Sequence, residues 1–182
     1  MESLAEETPG RRVLPGCDRP VVRDRELARR LEDLHRAVLE HDVLLRREET
    51  LALALGRLLP DHAGRSPAAP ACRAEVERAC VLMRDCFAQP LTLADISCQA
   101  GLGKSALVRA FAREKGITPY RYLLAVRVDR AQQLLERGRS PAETALAAGF
   151  SDQSHFTNCF TAITGLTPGA YRALFREERE RG

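Results

Sequence analysis

The sequence predicts an all-α protein: two helix-turn-helix subdomains joined by a long linker helix and preceded by a helical hairpin. Apolar residues recur at spacings of three and four with no strand-like alternation. Aromatic residues make up only 5% of the chain, Trp is absent, and the prolines sit at joints between periodic segments. One pattern, short helix, glycine turn, second helix, occurs twice in the second half.

Residues 1–22 carry Pro9, Pro15 and Pro20 without periodicity and read as an irregular lead-in. Residues 23–60 read as a helical hairpin. Leu27, Leu31, Leu34 and Val38 form one stripe, and Leu44, Leu51, Leu55 and Leu58 form another that ends at Pro60. Two helices alone bury too little surface to be stable, so this face must pack on another domain, on a second copy of the chain or on a missing part. The segment "DHAGRSPAAPA", 61–71, has the composition of a linker. Residues 72–176 then form the main helical domain, opening with a helix marked by Val76, Cys80, Met83 and Phe87, and 177–182 is a charged tail.

The two copies of the repeat are "LTLADISCQAGLGKSALVRAFAREKGITPYRY", 91–122, and "RSPAETALAAGFSDQSHFTNCFTAITGLTPGAY", 139–171. Each opens on a hydroxyl residue with an acid three positions later, Thr92 with Asp95 and Ser140 with Glu143, the signature of a capping box. Each continues Ala-Gly-apolar, where Gly101 and Gly149 supply the positive φ that ends a short helix in a tight turn. A second helix follows, with Leu107 and Phe111 matching Phe156 and Phe160. Two units are too few for a solenoid. In a helix-turn-helix the apolar back of the second helix holds the unit together and its outward face lies in a DNA major groove. The stretch "GFSDQSHFTNCFTAITGLTP" suits that task, because short donors and acceptors stand between its buried phenylalanines. Between the copies, Thr118 caps a helix with Pro119 at its first position and Leu124, Val128, Ala131 and Leu135 on one stripe. Such a helix spans roughly 25 Å and can set two reading heads about one DNA turn apart.

Charge agrees with this division. Residues 21–64 hold eight Arg against nine acids, whereas 90–175 hold ten Lys and Arg against six acids, so the second half is the part suited to a polyanion. The acidic N-terminus is not a secretory signal and no apolar run is long enough for a membrane span, which points to the cytoplasm. The six cysteines show no C-x-x-C spacing and mostly occupy apolar helix positions, the pattern of buried free thiols, and Cys98 and Cys159 give no sign of a redox switch. His35, His41 and His62 are scattered, so no metal site and no cofactor is expected. His155 is open to two uses, a phosphate contact or a hydrogen bond within its own unit.

On these residues, above all "AAGFSDQSHFTNCFTAITGLTPGAYR", the region 91–172 resembles the DNA-binding region of the AraC/XylS transcriptional regulators. The hairpin is similar to the helical tail that follows the cupin-type effector barrel of many members, and residues 1–20 hold no counterpart of that barrel. The resemblance implies double-stranded DNA as partner, with Ser105, Val108 and Arg109 in the first recognition helix and Gln153, Ser154 and Asn158 in the second contacting bases. Arg109 can pair with guanine, Gln153 and Asn158 with adenine, and Val108 can pack on a thymine methyl. Lys104, Arg113 and Arg121 are the candidate phosphate contacts. RNA polymerase is a candidate further partner, the hairpin a candidate homodimer surface, and activation the expected mode. Gly103 stands where the family commonly has a Ser cap, and Thr144 where it has a larger aliphatic.

A second reading makes the chain a sensorless interaction protein that modulates a full-length relative through its hairpin. An enzyme ranks last, because DNA-repair alkyl acceptors with a similar region need a zinc-cysteine cluster that Cys17, Cys72, Cys80 and Cys86 do not spell.

Overall fold

The computed structural model describes residues 24–39, 43–58 and 72–180. The expected lead-in and the linker 61–71 lie outside the described residues. Those described are all-helical, as the periodicity predicts. The nine helices among them are α1 (Arg25–Leu39), α2 (Leu44–Leu58), α3 (Arg73–Asp85), α4 (Leu93–Ala100), α5 (Lys104–Lys115), α6 (Pro119–Glu136), α7 (Pro141–Ala147), α8 (Gln153–Thr164) and α9 (Pro168–Glu180). Helix α9 thus runs on into the stretch read as a charged tail.

Local chemistry sets the helix starts. Both capping boxes form: the Thr92 hydroxyl accepts from the Asp95 amide while the Asp95 carboxylate accepts from the Thr92 amide, and Ser140 and Glu143 repeat the exchange. Thr118 caps α6 with Pro119 in its first turn. Gly101 and Gly149 adopt φ of 73° and 81°, ending α4 and following α7.

Two cores result. The first gathers Val76 and Met83 of α3, Leu93 and Ile96 of α4, Leu107 and Phe111 of α5 and Leu123 of α6, together with Leu45 and Ala52 of α2. The second packs Val128, Ala131 and Leu135 of α6 against Ala145, Phe150, Phe156 and Phe160. Phe150, Phe156, Phe160 and Tyr171 stand in successive ring contacts at 5.1–5.4 Å, and burying each of the two fully enclosed rings stabilises the unit by about 1.5–3 kcal/mol. Thr144 lies wholly inside this core, and its hydroxyl has no hydrogen-bond partner.

Helix α6, 18 residues and so about 27 Å long, belongs to both cores. Its Arg127, only 4% exposed, donates to the Phe87 and Gln89 carbonyls at 2.8 and 3.0 Å and stands over the Phe150 ring. One side chain thereby ties the α3–α4 connection of the first unit to the second unit.

In the hairpin, Leu27, Ala37 and Ala54 are buried and the Arg30 guanidinium donates to the Leu53 carbonyl. The leucine stripe read from the sequence turns mostly outward: Leu31, Leu44, Leu51 and Leu55 are all exposed. Helix α2 instead turns Leu45, Glu49 and Ala52 inward, a stripe at spacings of four and three. The cysteines differ from expectation as well. None of those described forms a disulfide, but only Cys80 is buried and Cys98 is exposed.

Candidate nucleic-acid interface

In each unit the second helix has an apolar back and a polar front. Leu107, Ala110 and Phe111 anchor α5, and Phe156 and Phe160 anchor α8. On the front of α8, Gln153, Ser154 and Asn158 are all exposed. Asp152 caps this helix by accepting from the His155 amide at 2.7 Å, a cap the sequence reading missed. The helix-terminal hydrogen bonds hold the Asp152 carboxyl below its ordinary range, that from His155 first and that from Ser151 next. Of the two uses open to His155, a bond within its unit is the one present: its ring nitrogen lies 3.2 Å from the Ser151 hydroxyl and its ring meets Phe150 edge-on.

On α5, Arg109 is exposed and Ser105 half-buried. Val108 corrects the expectation. It is 1% exposed and belongs to the first core with Leu45 and Ala52 of α2, so it cannot touch a thymine methyl in this arrangement. Lys104 is also engaged: its ammonium sits 2.7 Å from the Glu48 carboxylate of α2. Arg113 and Arg121 are exposed.

Helix α2 borders both fronts. Val43 and Arg46, at the start of α2, line one groove with Ser154, His155 and Asn158 of α8, while Glu48, two residues beyond Arg46, holds Lys104 of α5. The first two turns of α2 therefore border both reading helices.

Residues 96–174 match the family described as a helix-turn-helix domain. The whole chain is 35% identical, over 183 aligned positions, to the uncharacterized HTH-type transcriptional regulator YbfI of Bacillus subtilis, of which it spans 66%. Over 87 positions, 47% of this chain and 35% of the relative, it is 36% identical to the probable transcriptional regulator LumQ of Photobacterium leiognathi. Among solved structures, an AraC-type DNA-binding domain protein from Chromobacterium violaceum superposes with a TM-score of 0.53 at 32% identity, covering 56% of this chain and 91% of that one. The chain belongs to the AraC family. The DNA-binding domain of AdpA, solved in complex with a target DNA, gives the same TM-score at 28% identity over 59% of this chain and 97% of that one. The chain thus spans about two thirds of its first relative's length and about a third of the second's.

Within this AraC-type arrangement, three residues that sequence reasoning passed over shape the site. Arg127 joins the two units. Glu48 and Glu49 of α2 bind the first unit: Glu48 accepts from the Leu93 amide at 2.7 Å and from Lys104, and Glu49 accepts from the Tyr120 amide at 2.9 Å. Burial pushes the Glu49 carboxyl above its ordinary value, against the hydrogen bonds from Tyr120 and Thr118.

Proposed function

We propose that the chain is a sequence-specific DNA-binding transcription regulator that sets α5 and α8 into adjacent major-groove segments of a promoter, with no enzymatic step. The observation that carries this reading is the presence of two helix-turn-helix units, each with a second helix that buries an apolar back and exposes a polar front. In it Ser105 and Arg109 read one half-site, and Gln153, Ser154 and Asn158 read the other, while Lys104, Arg113 and Arg121 serve the backbone. The complex of AdpA with its target DNA supports this use of the fold. Activation as the mode is supported by a relative named HTH-type transcriptional activator RhaS, from Klebsiella pneumoniae, 34% identical over 79 residues. RNA polymerase follows as a partner of such an activator, and the cytoplasm as its place of action.

Selection from a randomised duplex library with the purified chain gives the site. Arg109→Ala and Asn158→Ala should then each cost about 1–3 kcal/mol of binding and relax one base position in different half-sites. Unchanged affinity and preference in both variants would refute the assignment.

The exposed Leu31, Val38, Leu44, Leu51 and Leu55 favour a further contact through the hairpin, with a second copy of the chain or with a longer relative. Sedimentation of the chain at rising concentration, with and without Leu51→Glu, tests the homodimer.

A further inference from the structure

We infer that α2 is an intramolecular DNA mimic that covers the reading face of α5, so that the hairpin and DNA compete for the first unit. The inference rests on the reading of α5 as a DNA-reading helix and adds a switch to it.

Position comes first. Leu45, Glu48, Glu49, Ala52 and Gly56 follow one another at helical spacing along a single face of α2. Leu45 and Ala52 enter the first core with Val108, Glu48 holds Lys104, and a Cβ at Gly56 would stand 3.6 Å from the Arg109 guanidinium. Lys104, Val108 and Arg109 belong to the candidate DNA-contacting set of α5; Arg109 remains exposed at the edge of the contact, and the back of the helix is filled by the unit's own core. A major groove is about 12 Å wide and one helix with its side chains is about 10–12 Å across. Packed helices lie about 8–10 Å apart axis to axis, so α5 cannot enter the groove while α2 lies against it.

Chemistry comes second. Phosphate oxygens on DNA are bound by lysines and by the amides at helix N-termini. The Glu48 carboxylate takes one of each, the Lys104 ammonium and the Leu93 amide at the first residue of α4. Glu49 takes the Tyr120 amide in the first turn of α6. Two carboxylates on one helix thus satisfy the kinds of donor that a DNA backbone would otherwise engage. The start of α2 also lines the groove beside Ser154 and Asn158, so the hairpin borders the second reader as well as the first. When the hairpin withdraws, Lys104 is freed for DNA.

The test uses the full chain and the duplex that the unmodified chain selects from a randomised library. Ala52→Glu places an acid in the α2–α5 contact. It adds negative charge, so tighter DNA binding by this variant cannot come from simple electrostatic attraction. We expect affinity to rise at least about tenfold, because a closed state scales the apparent affinity by the open fraction. Adding Arg109→Ala should remove much of the gain. If Arg109→Ala weakens the unmodified chain but Ala52→Glu does not tighten it, DNA reading stands and the masking is refuted. If Arg109→Ala is silent in both backgrounds, the assignment of α5 itself fails and the mask falls with it. A measurement without any substitution guards against a misfolded variant: in hydrogen exchange on the unmodified chain, saturating duplex should speed exchange of the α2 amides. Equal or slower exchange there overturns the proposal.

Discussion

Gly149 shows how much one residue can decide. Its φ of 81° suits glycine, and a Cβ there would lie 2.7 Å from the Ala88 Cα and 2.8 Å from the Phe87 carbonyl oxygen, the same oxygen that accepts from Arg127. The turn of the second unit is therefore pressed against the backbone of the first. Gly165 provides an internal control, with a φ of 78° and open space around its Cβ position. Gly165→Ala should cost only the left-handed penalty of about 1–2 kcal/mol. Gly149→Ala should cost about 1–3 kcal/mol more, because the joint between units must shift to admit the methyl. Urea unfolding of the two variants checks this, and equal midpoints would show that the close approach is relieved without strain.

The two recognition helices begin differently, and the difference can be measured. Asp152 caps α8, whereas α5 starts at Gly103, which has φ −66° and ψ 152°, makes no side-chain cap and has nothing within 4 Å of its Cβ position. Gly103→Ser meets no steric or dihedral obstacle. It should stabilise the chain by about 0.5–1 kcal/mol through the added cap and the stiffer unfolded chain, read as a raised urea midpoint. Capping boxes, glycine turns and the linker helix were legible in the sequence because their partners lie within a few positions. The inward face of α2 was not. Its contacts pass through Leu45, two glutamates and an alanine, while the more numerous leucines on the other side carried the apolar signal that periodicity detects. Val108 was misplaced because the core that buries it is assembled from distant elements, including Leu45 and Ala52 of a helix more than 50 positions away. Arg127 escaped notice because its acceptors are backbone carbonyls 38 and 40 residues distant, which no side-chain pattern announces.

At the scale of the whole molecule, acid should act on the helix caps and on the hairpin seat in opposite directions. Hydrogen bonds at the helix starts lower the Asp95, Glu143 and Asp152 carboxyls, from Thr92, Ser140 and the His155 amide first in each case. A lowered folded value means stability that is complete above the unfolded values, 3.8 for Asp and 4.5 for Glu, and is lost as pH falls through the folded ones. Glu49 behaves oppositely. Its carboxyl faces Tyr120 and Arg121 of α6, the α6 cap Thr118 and Arg46 of its own helix, and burial outweighs these favourable contacts and raises it above 4.5. Its protonated form is favoured in the folded state, so stability gained by protonating it grows as pH falls from its raised value toward 4.5 and is absent above that window. The urea midpoint of the unmodified chain should therefore rise on going from neutral pH into the window just above 4.5 and then fall at lower pH as the caps protonate. Glu49→Gln, which keeps an acceptor for the Tyr120 amide but does not titrate, should lack the rise and keep the fall. Hydrogen exchange assigns the parts: in the upper window the added protection should appear in α2 and the first turn of α6, and in the lower range protection should be lost at the starts of α4, α7 and α8. A rise of the same size in Glu49→Gln would detach it from the hairpin seat.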